Sequence, residues 1–133
     1  MAELSDSVRE AFEGTHFWHL ATVNPDGSPQ STPVWAHTRD GKIIVNTALG
    51  RKKPRNLDRE PRVALSMHET TAEGGYRNMQ IQGHVVDKIV GDQAEQDIDD
   101  LALKYVNQTP YPWRAPGEQR VTYVIEADKV LGG

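Results

Sequence analysis

The chain has no cysteine among its 133 residues, and this absence excludes several kinds of site. Disulfides, thiolate nucleophiles and Cys-ligated zinc or iron–sulfur centres all require cysteine. The sequence also lacks an apolar run approaching the roughly 20 residues that a membrane-spanning helix needs. It lacks a basic N-terminal stretch followed by apolar residues, which is the pattern of a signal peptide. We therefore expect a cytoplasmic protein with no membrane span.

Positive charge is scarce overall, with 15 Lys and Arg against 19 Asp and Glu, for a net charge of −4. A general nucleic-acid binder is normally basic, so this function is not expected. The length fits a single domain over residues 1–133.

The five histidines are scattered. His16 and His19 are three positions apart on a predicted strand and point to opposite faces, so we predict no metal site.

The positive charge that is present is concentrated in one segment. Residues 51–62 contain six basic and two acidic residues, a local charge of +4, so the rest of the chain carries −8. The segment begins just after an apolar run and a glycine, where a strand end leading into a helix would offer free backbone N–H groups to an anion. Lys and Arg side chains add charge-assisted hydrogen bonds to phosphate. Two interpretations stay open: an anion site, or a basic helix exposed to solvent.

The apolar pattern predicts a mainly β (α+β) protein. A first helix is expected near Ser7, capped by Ser7 with Glu10 and ended by Gly14, and a late helix begins at Asp92. Six strands are predicted, over residues 16–23, 30–37, 42–47, 62–68, 77–90 and 120–127. Together they suggest a small antiparallel barrel with two or three short helices. Pro33 cannot donate to a strand ladder, so it predicts an edge, a bulge or an opening.

Several of these segments carry a resemblance to a known family: Leu20–Gln30, Pro33–Trp35, Thr47 with Arg51–Leu57, and Pro61–Val63. The chain resembles the pyridoxamine 5′-phosphate oxidase-like split β-barrel flavoproteins, and among them the actinobacterial branch that uses the deazaflavin coenzyme F-420. The run from Arg51 to Leu57 is the most specific part. The resemblance implies a six-stranded antiparallel split β-barrel of the FMN-binding-like type. It also implies a homodimer with two cofactor sites at the subunit interface.

The same resemblance assigns residues to the phosphate of the cofactor: Thr47, Arg51, Lys52, Lys53, Arg55 and Asn56. Thr47 would offer a hydroxyl, and Arg51 and Lys53 would offer charge, with Arg better suited to bidentate contact. Lys52 would point to solvent or to the oligoglutamate tail of F-420. Asn56 would mainly order the start of the helix.

The ring of the cofactor is expected to lie against one strand: Gln30, Ser31, Thr32, Pro33, Val34 and Trp35. Pro33 leaves a neighbouring carbonyl available to a ligand, and Trp35 either walls the ring or packs in the core. From the opposite subunit, Asn78 and Met79 would lie over the ring edge. Three residues of the late loop would line the substrate mouth: Tyr111, Trp113 and Arg114.

The activity implied is that of an F-420-dependent oxidoreductase, which transfers a hydride from reduced deazaflavin to an unsaturated small molecule such as an enone or quinone. Because the cofactor carries this chemistry, we nominate no catalytic residue. Two alternatives stay open. One is an FMN-dependent oxidase or reductase on the same barrel. The other is a non-catalytic protein that binds F-420 or another anionic ligand such as haem. The surplus of positive charge at residues 51–55 favours the longer anionic cofactor.

Overall fold

A computed structural model describes residues 2–132 of the chain. Within these residues lie three helices and seven strands: α1 (Asp6–Glu13), β1 (Trp18–Val23), β2 (Pro29–Val34), β3 (Ala36–Arg39), β4 (Lys42–Ala48), α2 (Lys52–Arg59), β5 (Arg62–Thr70), β6 (Tyr76–Val90), α3 (Asp92–Val106) and β7 (Arg120–Gly132). None of the helices over this range is long and apolar enough to cross a membrane.

The seven strands form one antiparallel sheet in the order β2-β1-β5-β6-β7-β4-β3. Its two outer strands, β2 and β3, are consecutive in the chain and are separated only by Trp35. The Cα atoms of Val34 and Ala36 are therefore at most about 7 Å apart. The two edges of the sheet must come together at this point, so the sheet curls into a barrel that is left open between β2 and β3.

The prediction of six strands is wrong at one place. The expected strand over residues 30–37 divides at Trp35, because its first half pairs with β1 and its second half pairs with β4. Pro33 lies on β2, opposite His19, in an outer strand. The edge that Pro33 predicted is therefore confirmed. The mainly β class, the three helices and the antiparallel sheet are confirmed as well.

The N-cap of the first helix lies two residues earlier than predicted. Ser5 is the N-cap, and its Oγ accepts a hydrogen bond from the N–H of Val8 at 3.3 Å, while Ser7 lies inside α1. At the other end, the N–H of Gly14 donates to the carbonyl of Glu10, so the helix stops where the sequence predicted.

The core fills the barrel and the space under α1. Its largest fully buried side chains include Trp18, Tyr123, Phe12, Leu20 and Ile81. The ring of Phe12 on α1 stacks on Trp18 of β1, with centroids 3.9 Å apart. Burial of each such side chain stabilises the fold by about 1.5–3 kcal/mol. With the barrel interior filled in this way, a ligand must bind outside it, at the ends of strands and between helices.

Candidate functional site

A cavity of about 220 Å³ lies where the β2–β3 junction, the end of β4, the start of α2 and the beginning of β7 meet. We call it the cationic cavity. Eight of its twelve lining residues were predicted from the sequence: Pro33, Val34, Trp35, Thr47, Arg51, Lys53, Tyr111 and Trp113. The structure therefore brings the predicted phosphate segment, ring strand and substrate loop to one place.

The start of α2 offers uncapped backbone N–H groups beside this cavity. Gly50 turns the chain after β4 with a φ of +88°, a conformation that glycine adopts without steric cost. Arg51 is the N-cap residue, and its side chain makes no capping hydrogen bond. The N–H groups of the first helical turn and the positive end of the helix dipole therefore favour an anion here.

Lys53 gives the strongest indication of an anion site, because the protein around it disfavours a positive charge. Burial lowers the pKa of Lys53, and the positive charges of Arg51 and Arg120 lower it further. Across residues 2–132, no carboxylate lies within ion-pairing distance of its ammonium. A partly buried cation without a counter-ion is costly. A bound anion would remove that cost and would favour the charged form of Lys53.

Arg120 is a third cation of the cavity, and the sequence analysis did not identify it. Its side chain is 4% exposed, and its Nε donates to Asn46 Oδ1 at 2.9 Å. Its guanidinium lies 5.1 Å from the centroid of the Tyr111 ring. The signal that was available is an arginine at the first position of the mostly apolar strand Arg120–Ala127.

The sequence analysis did not identify Glu118 either. Its carboxylate offsets part of the positive charge of Arg51 and Arg120. Its Oε1 accepts a hydrogen bond from Arg51 at 3.0 Å, and its Oε2 accepts one from Arg120 at 3.2 Å. The Glu118 side chain is 7% exposed. The cavity thus combines three cations, one carboxylate and the hydroxyl of Thr47, which leaves an excess of positive charge.

Aromatic rings form the opposite wall. Trp35 stacks on Tyr105, with centroids 5.3 Å apart, and meets Tyr111 nearly at a right angle at 6.2 Å. Trp113 lies 6.3 Å from Trp35 and is 58% exposed. Because Tyr105 covers one face of Trp35, a ligand can approach this ring only from its other face or its edges. Trp35 therefore packs on Tyr105 and also lines the cavity, and its contact with a cofactor ring stays a prediction.

Three predicted residues of α2 do not line the cavity. Lys52 and Arg55 are exposed on the helix. Asn56 is 1% exposed, and its Nδ2 donates to Thr22 Oγ1 and Asn24 Oδ1, each at 3.1 Å. Because the amide N–H groups of Asn56 already donate to these two partners, they are not free to donate to a phosphate. The role of Asn56 is therefore to fix α2 to β1 and the turn that follows it.

The first half of the predicted ring strand also lies outside the cavity, because the cavity is at the end of β2. Gln30 Oε1 lies 3.4 Å from Thr22 Oγ1, and Ser31 is exposed on the outer face of the sheet. The hydroxyl of Thr32 is buried and has no partner in residues 2–132. Only Pro33, Val34 and Trp35 reach the cavity.

The two residues expected from the opposite subunit face different ways. Asn78 is exposed and lines a concave face of about 500 Å³ on the outside of β1, β5, β6 and β7, which also includes Ser31. Met79 has an exposed fraction of 0% and belongs to the core. Its side chain has no surface to offer a second subunit, which opposes its predicted contact with the ring.

Arg114 is occupied elsewhere as well. Its Nη2 pairs with Glu95 Oε1 at 3.2 Å and with Asp99 Oδ1 at 3.4 Å, both on α3. Asp99 also accepts a hydrogen bond from the N–H of Tyr111 at 2.8 Å. These contacts hold the loop before β7 on α3. The structure therefore opposes a role for Arg114 at the substrate mouth, whereas Tyr111 and Trp113 do line the cavity.

Within residues 2–132 no cluster of three or more His, Asp and Glu is arranged to hold a metal ion.

The chain is similar to one known family and to several solved structures. The model of the family described as pyridoxamine 5′-phosphate oxidase matches residues 4–131. Among solved structures, the chain is similar to one described as an F-420 reductase, with 26% sequence identity and a TM-score of 0.80. That alignment covers 96% of this chain and 98% of the other. The sequence has no match among curated proteins.

Two more distant structures share the fold. An FAD-binding protein from Mesorhizobium loti is 19% identical with a TM-score of 0.66, over 98% of this chain and 93% of that one. A heme-binding protein from Mycobacterium smegmatis is 18% identical with a TM-score of 0.68, over 99% of this chain and 55% of that one. At these identities the likeness concerns the fold alone.

Proposed function

Because the chain belongs to the pyridoxamine 5′-phosphate oxidase family, we propose that it is an oxidoreductase that uses coenzyme F-420. The family and the similarity to an F-420 reductase support a flavin- or deazaflavin-type oxidoreductase in general. The similarity to an F-420 reductase over nearly the full length of both chains supports the deazaflavin in particular. The single observation that carries the proposal is the half-buried Lys53 ammonium, which lies near two arginines and has no counter-ion among residues 2–132.

The phosphate of the cofactor fits the donor set of the cationic cavity. Lys53 and Arg51 would supply charge, Thr47 would supply a hydroxyl, and the first N–H groups of α2 would complete the contacts. Arg120 adds a third cation from the buried side of the cavity. Such charge-assisted hydrogen bonds are about twice as strong as neutral ones. Lys52 and Arg55, exposed on the same helix, are placed to attract a further anionic part of the cofactor, such as an oligoglutamate tail.

The size of the cavity bears on where the cofactor ring would lie. At about 220 Å³ the cavity is smaller than the roughly 300–1,000 Å³ of most sites that enclose a small molecule. It suits a phosphate and part of its arm, while the ring needs additional walls. A second copy of the chain would supply them, and we therefore propose a homodimer. The concave outer face that contains Ser31 and Asn78 is the surface proposed for the contact.

The chemistry of the proposed reaction belongs to the cofactor, which in its reduced form supplies a hydride to an electron-poor acceptor such as an enone or quinone. The protein has to position the two partners and keep the reacting groups dry. Trp35, Tyr111 and Trp113 offer flat, apolar surfaces beside the phosphate donors. A planar unsaturated substrate would pack against these rings.

The test is a set of paired titrations of the purified protein with F-420, FMN and haem, followed by fluorescence or absorbance. We expect a clear preference for F-420, followed by oxidation of the reduced cofactor when enone or quinone acceptors are added. Preference for FMN would place the protein with the oxidases or reductases that use that flavin. Tight F-420 binding without turnover of any acceptor would leave it as a binding protein.

The assembly has its own test. Sedimentation of the purified protein should give about twice the chain mass of 14.9 kDa. A charge introduced at the centre of the concave face, as in Ser66→Arg, should dissociate the dimer without unfolding it, because Ser66 is exposed in the single chain. A wild-type protein that stays monomeric at all concentrations would contradict the two-subunit site.

A further inference from the structure

Glu118 lies within the cluster of cations where the proposed phosphate would bind. Its two carboxylate oxygens are divided between two arginines, with Oε1 at 3.0 Å from Arg51 and Oε2 at 3.2 Å from Arg120. A carboxylate that accepts hydrogen bonds from two guanidinium groups presents the same chemistry as a phosphate oxygen pair. In the ligand-free protein, Glu118 thus occupies donors that an incoming anion needs.

The two arginines differ in their freedom to exchange partners. The side chain of Arg120 is 4% exposed and is also held by Asn46, so it is fixed in place. The side chain of Arg51 is 55% exposed and has Glu118 as its ion-pair partner. Arg51 can therefore turn away from Glu118 toward an anion at the start of α2, whereas Glu118, 7% exposed, stays where it is.

We propose that Glu118 is an internal counter-ion that competes with the phosphate of the ligand for Arg51 and thereby sets the affinity of the anion site. It limits the affinity for every anion, because Arg51 must leave Glu118 before it binds the ligand. The identity of the anion as the cofactor phosphate rests on the proposed function, but the competition itself does not.

The test compares Glu118→Gln with wild type for two probes, F-420 and inorganic phosphate, by isothermal titration and by the rise in melting temperature with ligand. Gln keeps the shape of the side chain and removes its charge. We expect the dissociation constants of both probes to fall on the order of tenfold. The matched control is Glu60→Gln, which removes the same charge from the C-cap of α2, where Glu60 pairs with Arg62. The control should change either constant by less than about twofold.

A double-mutant cycle tests whether the effect passes through Arg51. In an Arg51→Gln background, removal of the Glu118 charge should lose most of its effect on phosphate binding. If Glu118→Gln does not fold, Glu118→Ala gives the same test, because it also removes the carboxylate that pairs with Arg51 and Arg120. Unchanged or weaker binding in a folded Glu118 variant would overturn the proposal, since Glu118 would then be a support that holds Arg51 in its binding position.

The two probes separate this inference from the proposed function. If F-420 does not bind to wild type while phosphate binds more tightly to Glu118→Gln, the proposed cofactor is wrong and the competition holds. If F-420 binds to wild type and neither probe binds more tightly to the variant, the competition alone is wrong. If neither probe binds to any folded form, the cavity is not an anion site and both fail.

Discussion

The indole of Trp35 stacks on the phenol ring of Tyr105, with ring centroids 5.3 Å apart and ring planes inclined by 7°. The hydroxyl of Tyr105 donates to the carbonyl of His16 at 2.7 Å and accepts a hydrogen bond from the N–H of Ala36 at 3.2 Å. Trp35 is also the one residue between the two outer strands of the sheet. Tyr105 therefore fixes both the ring that walls the cationic cavity and the backbone next to it.

Removal of the Tyr105 hydroxyl should destabilise the protein and leave the stack intact. In Tyr105→Phe the buried N–H of Ala36 loses its acceptor, which costs about 1–3 kcal/mol. Urea denaturation should show this loss in the free energy of unfolding. The matched control is Tyr76→Phe, because Tyr76 is 64% exposed and its hydroxyl has no partner within residues 2–132. Equal stabilities of the two variants would contradict the role of the hydroxyl.

Lys53 should show opposite effects on stability and on binding. Because the folded protein lowers its pKa, the charged form is disfavoured there, and Lys53→Met should raise the melting temperature of the ligand-free protein. The same change should weaken F-420 binding by at least ~1.5 kcal/mol, the scale of a lost charged hydrogen bond. Lys52→Met, on the exposed side of α2, should leave the melting temperature nearly unchanged and should weaken F-420 binding less than Lys53→Met does. An unchanged affinity for F-420 in a folded Lys53→Met protein would remove Lys53 from the site.

Asn56 should prove to be a structural residue. In Asn56→Ala the buried amide that joins α2 to Thr22 and Asn24 is lost, and we expect a destabilisation of about 2 kcal/mol. Arg55→Ala, at the neighbouring exposed position, should cost less than about 0.5 kcal/mol. Chemical denaturation measures both. If Asn56→Ala were as stable as wild type and bound F-420 more weakly, the direct contact with the phosphate would have to be restored.

Lys104 should make the stability depend on pH. Its Nζ donates to the carbonyls of Phe12 and Ala36 at 2.6 and 2.7 Å and lies 3.1 Å from His37 Nδ1. Burial lowers the pKa of Lys104 from 10.5 to about 8. Between these two values the unfolded chain binds more protons than the folded protein, so stability rises with pH over this window.

The neutral amine can keep all three contacts, since it still has two N–H donors and can accept from His37 Nδ1–H. We therefore expect wild type to gain about 1 kcal/mol relative to Lys104→Met between about pH 8 and about pH 9.5, a value reduced for solvent screening. Urea denaturation of both proteins at the two pH values gives the difference. A loss of wild-type stability relative to the variant over this interval would reverse the sign and contradict the lowered pKa.

Local patterns were enough to predict the parts of the site that follow one another in the chain. Gly50 and the basic run after it identified the start of α2, and the aromatic loop identified Tyr111 and Trp113. Arg120 and Glu118 could not be identified in this way, because they come about seventy residues after Arg51 and meet it only through the pairing of β7 with β4. Met79 was misassigned because the choice between the two faces of β6 depends on its register with β5 and β7.

The same limit explains the extra strand. The run over residues 30–37 has strand-like residues throughout, and only the pairing partners reveal that it changes sides of the sheet at Trp35. Residue preferences describe one strand at a time, whereas the sheet order is a property of all seven. The apolar pattern and the family resemblance predicted the barrel. The position of its opening, between β2 and β3, follows only from the strand pairing.

The two prolines of β2 have a consequence for the solubility of the single chain. Pro29 and Pro33 lie in an outer strand, where unpaired N–H groups would otherwise be free to extend the sheet with a strand from another molecule. Proline has no N–H, so both positions lack that donor. The two prolines therefore make it harder for this edge to pair with a strand of another molecule and start cross-β aggregation. Replacing both prolines with valine should increase the tendency of the protein to aggregate on heating.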